Sequence, residues 1–315
     1  MNELAIKWYK YLGFPPEYDE EFYALSESKD ISEIPDDNTL EYLENKKDYG
    51  LNLIYFLTCL DKTKAAMDER GIDKKYFDST AAGLLWEVMN TKKAFGTFGV
   101  SEALWWCLVT RGDFLFRIGR LNYGMEVAPA EWCGDERVVK TGDTILVTHI
   151  PAGSKLDIKE AFLSLVEAEI FFKTYFPEKN IKGFICGSWL LDRTLDLFLK
   201  EGSNIVKYRN LFEKYMDVEA YSAIKFGFGS NITRENLAEF TPKNSFQEKL
   251  KAYILGGGKL YETFGFRSFF SDNKESYDEL LGNLCDSFCH HTGQEPDAIC
   301  KERLYEYADK LKKEN

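Results

Sequence analysis

The sequence is poor in histidine, has no long apolar run and carries a deficit of positive charge. Three histidines in 315 residues leave little room for a multi-histidine catalytic metal. The longest apolar runs, Leu51 to Leu60 and Ala103 to Thr110, fall well short of the ~20 residues that a membrane-crossing helix needs. The first residues, Met1 to Trp8, lack a basic segment followed by an apolar stretch and a small-residue cleavage site, so no secretory leader is expected. There is no Walker loop, dinucleotide glycine fingerprint, nucleophile elbow or paired zincin histidines. Lys and Arg number 40 against 52 Asp and Glu, a net charge of −12. Such a surface repels phosphate backbones, which argues against nucleic acid as a partner. Seven cysteines, an odd number in a chain long enough to fold without staples, read as reduced thiols. These absences describe a soluble cytoplasmic protein with no membrane partner.

What is present is core. Hydrophobic residues make up 44% and aromatic residues 15%, with 24 Phe, 18 Tyr and 6 Trp, too many for a disordered chain. The length allows two domains. Before residue 112 the pattern is helical. One helix begins at Leu4 and stops before Pro15-Pro16. Apolar residues from Leu40 to Leu60 recur at three- and four-residue spacings, which predicts a helix over Asn38 to Arg70. Two more are expected over Ser79 to Phe95 and Ser101 to Arg111, ending at Gly96 and Gly112.

After Gly112 strands enter. Phe114 to Tyr123 reads as a strand, Thr144 to Ile150 as another, and Gly183 to Cys186 as a short buried one. A helix is expected from Ile158 to Phe176, and helical stretches from Leu190 and from Asn204. Tyr221 to Phe228 alternates like a strand. Strands separated by helices imply crossovers and a partly parallel sheet. The fold class expected is α+β or α/β. It comprises an all-helical N-terminal domain (1–112), a mixed-sheet domain with crossover helices (113–271) and a helical C-terminal extension (272–315). We expect the strand after Gly142 and the strand after Lys182 to be parallel neighbours that separate at their C-terminal ends, lining a crevice with His149, Gly153 and Cys186.

The junction from His149 through Ile150, Pro151, Gly153, Ser154 and Lys155 to Asp157 runs from strand into helix. Such a turn leaves free N–H groups and a partial positive charge suited to phosphates, with Ser154, Lys155 and Lys159 as added donors. The simpler alternative is an ordinary loop with Asp157 as N-cap and Glu160 as its capping-box partner. His149, at a strand end, has the ordinary pKa of a base near neutral pH. Cys186 could be a nucleophile or a small buried hydrophobe. Glu169 shares a helical row with Phe162, Leu165, Phe172 and Phe176, and its head is expected to snorkel to the edge of that face. In the tail, Cys285, Cys289, His290, His291 and Cys300 suggest a zinc set but lack its paired short spacings. We expect no metal, and expect Cys285 and Cys289 to sit on an apolar stripe with Leu281, Leu284 and Phe288.

The run Phe184-Ile185-Cys186-Gly187-Ser188-Trp189-Leu190-Leu191-Asp192, followed by Gly202-Ser203-Asn204-Ile205-Val206, resembles a bacterial acyltransferase family. Its members pair a helical N-terminal domain with a GNAT-like (N-acyltransferase) C-terminal domain. Val147 to Pro151, Asn244 to Gln247 with Gly256-Gly257, and Thr80 to Trp86 with Gly96-Thr97-Phe98-Gly99 fit the same family. The resemblance covers roughly residues 70 to 270. It implies transfer of an acyl group from coenzyme A to a small-molecule amine or hydroxyl acceptor. A diverging strand pair would admit the pantetheine arm, and the helix start after Gly153 would receive the pyrophosphate. Ile150, Gly153, Ser154, Lys155, Cys186 and Asn204 would then contact acyl-CoA, with His149 as base and Tyr261 as acid. The usual signature, Gln or Arg followed by two spaced glycines, is reduced here to Gly153. Phe212 occupies the place of the family's acid tyrosine, which opens a second reading: a binding or regulatory protein that kept the fold without catalysis.

Overall fold

The computed structural model describes residues 2–110, 115–132, 138–151, 155–229, 231–271 and 276–313. The chain divides into two compact units, Met1–Arg117 and Ile118–Asn315. The expected boundary at 112/113 lies among residues outside this description.

The first unit is helical: α1 (Glu3–Leu12), α2 (Asp19–Ser28), α3 (Thr39–Lys46), α4 (Tyr49–Glu69), α5 (Lys74–Ala81), α6 (Gly83–Phe95) and α7 (Ala103–Thr110). The helix expected over 38–70 is two helices. Lys47 turns into the left-handed region at φ 50, and the Asp48 side chain accepts from the N–H of Leu51 to start α4. That carboxylate supplies a partner to an otherwise orphaned helix donor. The helix expected over 79–95 is likewise divided, with Ala82 between α5 and α6. Gly96 ends α6 as expected, at φ 71. Gly99 answers a different need, because the Val100 N–H donates to the Tyr49 carbonyl at 2.9 Å. A Cβ on Gly99 would lie 2.3 Å from that carbonyl.

The sheet has the order β1-β2-β3-β4-β6-β5; β1 runs across the 117/118 boundary and the other five strands belong to the second unit. The strands are β1 (Leu115–Ile118), β2 (Leu121–Val127), β3 (Thr144–His149), β4 (Phe184–Ser188), β5 (Glu213–Glu219) and β6 (Tyr261–Arg267). Its helices are α8 (Ile158–Tyr175), α9 (Asn204–Arg209), α10 (Ser222–Phe228), α11 (Ser245–Leu255), α12 (Tyr277–Thr292) and α13 (Ala298–Lys313). The β3 and β4 strands are parallel, while β2–β3, β4–β6 and β5–β6 are antiparallel. A mixed sheet with a helical crossover, α8, follows the sequence expectation.

Three segments depart from it. The run 114–123 is not one strand: Gly119, at φ 60, and Arg120 separate β1 from β2, since a glycine tolerates this turn conformation. Tyr221 to Phe228 is not a strand but contains α10. Its Ala223, Ile224 and Phe228 are buried in a cluster with Leu195, Leu237 and Leu250, and tertiary burial there overrides the alternation. The helix after Asn204 stops at Arg209, and β5 follows as an edge strand of mostly exposed residues. A strand paired on one edge and open to water needs little apolar signal.

Several polar groups bind α8 to its neighbours. Ser164 Oγ accepts from the Leu121 N–H at 3.2 Å, lies 2.8 Å from the Tyr123 hydroxyl and donates to the Ile118 carbonyl. Glu169 does not snorkel. It is fully buried and accepts from the N–H groups of Phe270 at 2.5 Å and Ser271 at 3.2 Å, with Lys173 3.3 Å away. Burial raises its pKa against these partners. The extension packs on α8: Arg303 reaches Glu160 at 3.0 Å, Lys159 reaches Asp297 at 3.1 Å, and the Tyr307 hydroxyl donates to Glu167. The buried stripe of α12 is Leu280, Leu284 and Phe288. Cys285 and Cys289 flank it half-exposed, and His290 is exposed.

Two glycines should therefore respond in opposite ways to alanine. Gly99→Ala should destabilise by about 1–3 kcal/mol, because the clash is with backbone that cannot rotate away. Gly282, exposed within α12 with open space around a Cβ, should gain about 0.5–1 kcal/mol as alanine. Chemical denaturation of both variants checks this, and equal effects would contradict it.

Candidate functional site

The β3–β4 ladder consists of two pairs, Leu146 with Phe184 and Val147 with Ile185. Both strands continue past it, β3 to His149 and β4 to Ser188. Leu146 N–H donates to the Gly183 carbonyl at 2.9 Å. By the alternation of a parallel ladder, the next rung would join the Thr148 carbonyl to the Gly187 N–H. That rung is outside the ladder, so the strands part where the sequence expectation placed the crevice. On β6, Thr263 pairs with Ser188, so Tyr261 and Glu262 arrive at this same end.

Side chains on this end divide between two faces, since paired residues share a face and neighbours alternate. Asn122 pairs with His149 and Gly124 with Val147. With Gly187 opposite Phe264, the first face carries Asn122, His149, Gly187, Glu262 and Phe264. Farther down it, Ile145, Val147 and Ile185 form a core cluster. The second face carries Tyr123, Thr148, Cys186, Ser188, Tyr261 and Thr263.

This register separates residues that the sequence reading grouped. His149 and Cys186 lie on adjacent strands yet point to opposite faces. Cys186 is fully buried, its sulfur 3.6 Å from the Tyr208 hydroxyl. Burial pushes its thiol up to about 12, so it stays protonated and is a core residue rather than a nucleophile. His149 and Tyr261 also face opposite ways, so the expected base and acid do not converge. The Tyr261 N–H donates to Asp192 Oδ2 at 2.9 Å, while Asp192 Oδ1 accepts from Thr194. Asp192 thereby stitches the segment after β4 to the start of β6. Phe212 packs over Gly265, where a Cβ would come within 2.6 Å of the Phe212 Cβ.

The loop from β3 into α8 is held from below by Arg120. Its guanidinium donates to the carbonyls of Lys155 at 2.9 Å and Pro151 at 3.1 Å. Gly153 and Ser154 lie outside the described residues. Ile150 is half-buried, and the side chains of Lys155 and Asn204 are exposed. The Asp157 carboxylate caps α8, accepting from the N–H groups of Lys159 at 2.9 Å and Glu160 at 3.3 Å. It occupies donors that an anion would otherwise use. The expected return bond of a capping box is replaced by the Glu160 pair with Arg303.

Other polar atoms at the divergence escaped the sequence reading. Thr148 Oγ1 is buried, at 1% residue exposure, without a hydrogen-bond partner among the described residues. Asn122 Oδ1 is in the same condition at 8%. Unsatisfied buried oxygens cost about 1–3 kcal/mol each and are expected where a ligand or water supplies the missing donor. Only strand register brings these positions together, so no local motif announces them. Among the described residues no cluster of three or more His, Cys, Asp or Glu could hold a metal ion. No described helix is long and apolar enough to cross a membrane.

Burial lowers the pKa of His149 to about 4, so the ring is neutral at physiological pH but a weaker base than the ordinary value expected from the sequence. His291, half-buried beside Arg267 at 3.1 Å, is lowered to about 4 as well. Both folded values lie below the unfolded ~6.5, so the stability these neutral rings contribute is complete above that value and is lost as pH falls toward the folded value. We expect the His149 ring resonances not to titrate from roughly pH 8 to 5. The melting temperature should fall on acidification below ~6.5, less steeply in His149→Gln. A His149 ring titrating near 6.5 would contradict the burial argument.

Residues 115–267 match the family model of the GNAT-like C-terminal domain, and residues 9–112 match that of the N-acyltransferase N-terminal domain. No curated protein sequence matches the chain. Among solved structures, an acyltransferase mutant in complex with octanoyl-CoA is similar at 22% identity and a TM-score of 0.66, over 84% of this chain and 87% of that one. An acyltransferase in complex with decanoyl-CoA matches at 22% and 0.64, over the same shares. An acyltransferase with decanoyl-CoA and teicoplanin matches at 22% and 0.66, again over 84% and 87%. At this identity the likeness shows the fold. The two family matches are consecutive and together span most of the chain, which therefore belongs to the acyltransferase family that joins an N-acyltransferase N-terminal domain to a GNAT-like C-terminal domain.

Proposed function

We propose that the protein transfers an acyl group from acyl-CoA to an amine or hydroxyl of a small-molecule acceptor. The observation that carries this reading is the parting of β3 and β4 after two pairs. It leaves a slot beside a missing backbone rung and the unpartnered Thr148 Oγ1. An extended chain bearing amides, such as pantetheine, satisfies such groups by adding donors and acceptors in strand fashion. Similar folds hold octanoyl-CoA and decanoyl-CoA, which supports a medium-chain donor. The loop containing Gly153, Ser154 and Lys155 is the proposed phosphate contact, with Ile150 and Asn204 beside it. With its cysteines as free thiols among the described residues, the protein is read as acting in the cytoplasm.

In the proposed reaction the acceptor nitrogen or oxygen attacks the thioester carbonyl, the new bond forms and the carbon–sulfur bond breaks. His149, neutral and at the strand end, takes the proton from the attacking group as its bond to the carbonyl carbon forms and makes that proton acidic. The thiolate leaves with an ordinary thiol pKa and can be protonated by water, which suits the position of Tyr261 on the other face.

A second reading, binding without turnover, draws on Asp157. Its carboxylate occupies the first N–H groups of α8, and its charge opposes a phosphate at that helix start. The two readings differ in measurable ways. We expect CoA and octanoyl-CoA to raise the melting temperature while ATP and NADPH do not. Free thiol should appear when octanoyl-CoA meets a panel of amines and alcohols. His149→Ala should lower kcat by ~10²–10⁴ and leave the KM for octanoyl-CoA nearly unchanged. Stabilisation by CoA with no thiol release from any acceptor would select the second reading. No response to CoA would defeat both.

A further inference from the structure

Beside His149, the first face of the sheet offers one apolar way out of the slot. Continuing the β3–β4 register puts His149 level with Gly187. Gly187 pairs with Phe264, and Phe264 pairs with Met216 on the edge strand β5. Gly187 has no side chain to hold the space above it, and the Phe264 ring fills that space. A Cβ on Gly187 would lie 2.8 Å from Phe264 Cε1. The ring thus bridges β6 to β4, and the Met216 side chain continues the apolar floor to the edge of the sheet. Gly187, Phe264 and Met216 are half-buried, and Val218, two residues farther along β5 on the same face, is 46% exposed. Adjoining apolar groups left partly in water at one end of a sheet mark a surface that takes an apolar ligand.

Among the described residues, the other directions from the slot are closed to a hydrocarbon. Inward, Ile145, Val147 and Ile185 are packed in their core cluster, and Trp132 covers that side with its ring 6.2 Å from Phe264. Toward the start of β6 on the same face stands the Glu262 carboxylate, which accepts from the Ser222 hydroxyl at 3.3 Å. Covering a charge with hydrocarbon is costly. Toward β2 the neighbour is Asn122, with its buried, unpartnered Oδ1. On the second face, Cys186 and Tyr208 are fully buried against each other at 3.6 Å. Across β4, β6 and β5 the way is apolar and reaches water.

We propose that the acyl chain of the donor lies across this row, from the slot over Gly187 and Phe264 to Met216, and that the width of the sheet there sets the preferred chain length. The proposal rests on the acyl-transfer reading, because it needs a thioester beside His149, but it concerns binding and can be measured without an acceptor. Two strand spacings separate β4 from β5, about 10 Å. An extended alkyl chain advances roughly 1.3 Å per carbon, given C–C bonds of about 1.5 Å. A chain of about eight carbons therefore reaches Met216, and further carbons pass the edge into water. The flexible thioether of Met216 suits the chain end, since methionine adapts to irregular apolar shapes.

Calorimetry of the full chain with acetyl-, butanoyl-, octanoyl-, decanoyl- and dodecanoyl-CoA tests this. A half-exposed floor should give about twofold in affinity per added methylene, against about fourfold for full burial. Octanoyl-CoA should then bind at least about tenfold more tightly than acetyl-CoA, while the step from decanoyl- to dodecanoyl-CoA should gain less than about twofold. Met216→Asp should cost decanoyl-CoA about tenfold and leave butanoyl-CoA within about twofold of the wild type, because only the longer chain reaches the new charge. Should that variant fail to fold, Met216→Gln, uncharged and of similar length, takes its place and should cost decanoyl-CoA about threefold with butanoyl-CoA unchanged. Affinity independent of chain length, a gain that continues undiminished to dodecanoyl-CoA, or equal effects of the variant on butanoyl- and decanoyl-CoA would overturn the proposal. Chain-length-dependent binding without thiol release from any acceptor would defeat acyl transfer and leave this site standing. No binding of CoA or of any acyl-CoA would overturn both.

Discussion

A parallel pair of strands that stops pairing after two rungs is the constraint on which this molecule turns. Sheet strands ordinarily continue until a turn ends them, because each missing rung leaves backbone groups without partners. Here β3 and β4 are held together at their start, by Leu146 with Gly183 and by Lys182 with the Thr144 carbonyl, and are free at their ends. The opening therefore has a hinge side and a mouth side fixed by hydrogen bonding. Its mouth carries two unsatisfied buried oxygens, Thr148 on one face and Asn122 on the other.

The surroundings keep the slot from closing or collapsing. β4 is anchored on its other edge to β6 over five pairs, so it cannot follow β3. Asp192 bonds both its own turn and the N–H of Tyr261, which holds the segment leaving β4 against the start of β6. On the β3 side, Arg120 grips the carbonyls of Pro151 and Lys155, and Ser164 fixes α8 to β2 and the β1–β2 turn. The last helix, α13, pairs with the first turn of α8 through Arg303 and through Asp297 just before it. Glu169, buried under the end of β6, holds the chain leaving the sheet. Every support is a polar contact between segments distant in sequence.

Electrostatics divide the site by face. Neutral His149 and the carboxylate of Glu262 share one face, while a protonated Cys186 thiol and the Tyr208 hydroxyl share the other, sealed against water. Two residues on adjacent strands, His149 at the end of β3 and Cys186 within β4, thus have different chemistry because a strand reverses its side-chain direction at each residue. The same alternation sends Tyr261 away from His149 and brings Glu262 toward it.

The sequence by itself determined the helical first unit, the parallel β3–β4 pair with its crossover helix, the N-cap at Asp157 and the family. These rest on local signals: apolar spacing, glycine at helix ends, a carboxylate two residues before the N–H groups it caps. It also located His149 at a strand end. Tertiary structure alone decided which residues share a face with it. Asn122, Thr148 and Glu262 carry no motif, and their meaning comes from a register set by pairing across 27 residues between β2 and β3 and by the return of β6 beside β4. Edge strand β5 was missed and helix α10 misread for the same reason. An edge strand is held by its neighbour's backbone and a short helix by the core it covers, and neither partner is visible in a local window of sequence.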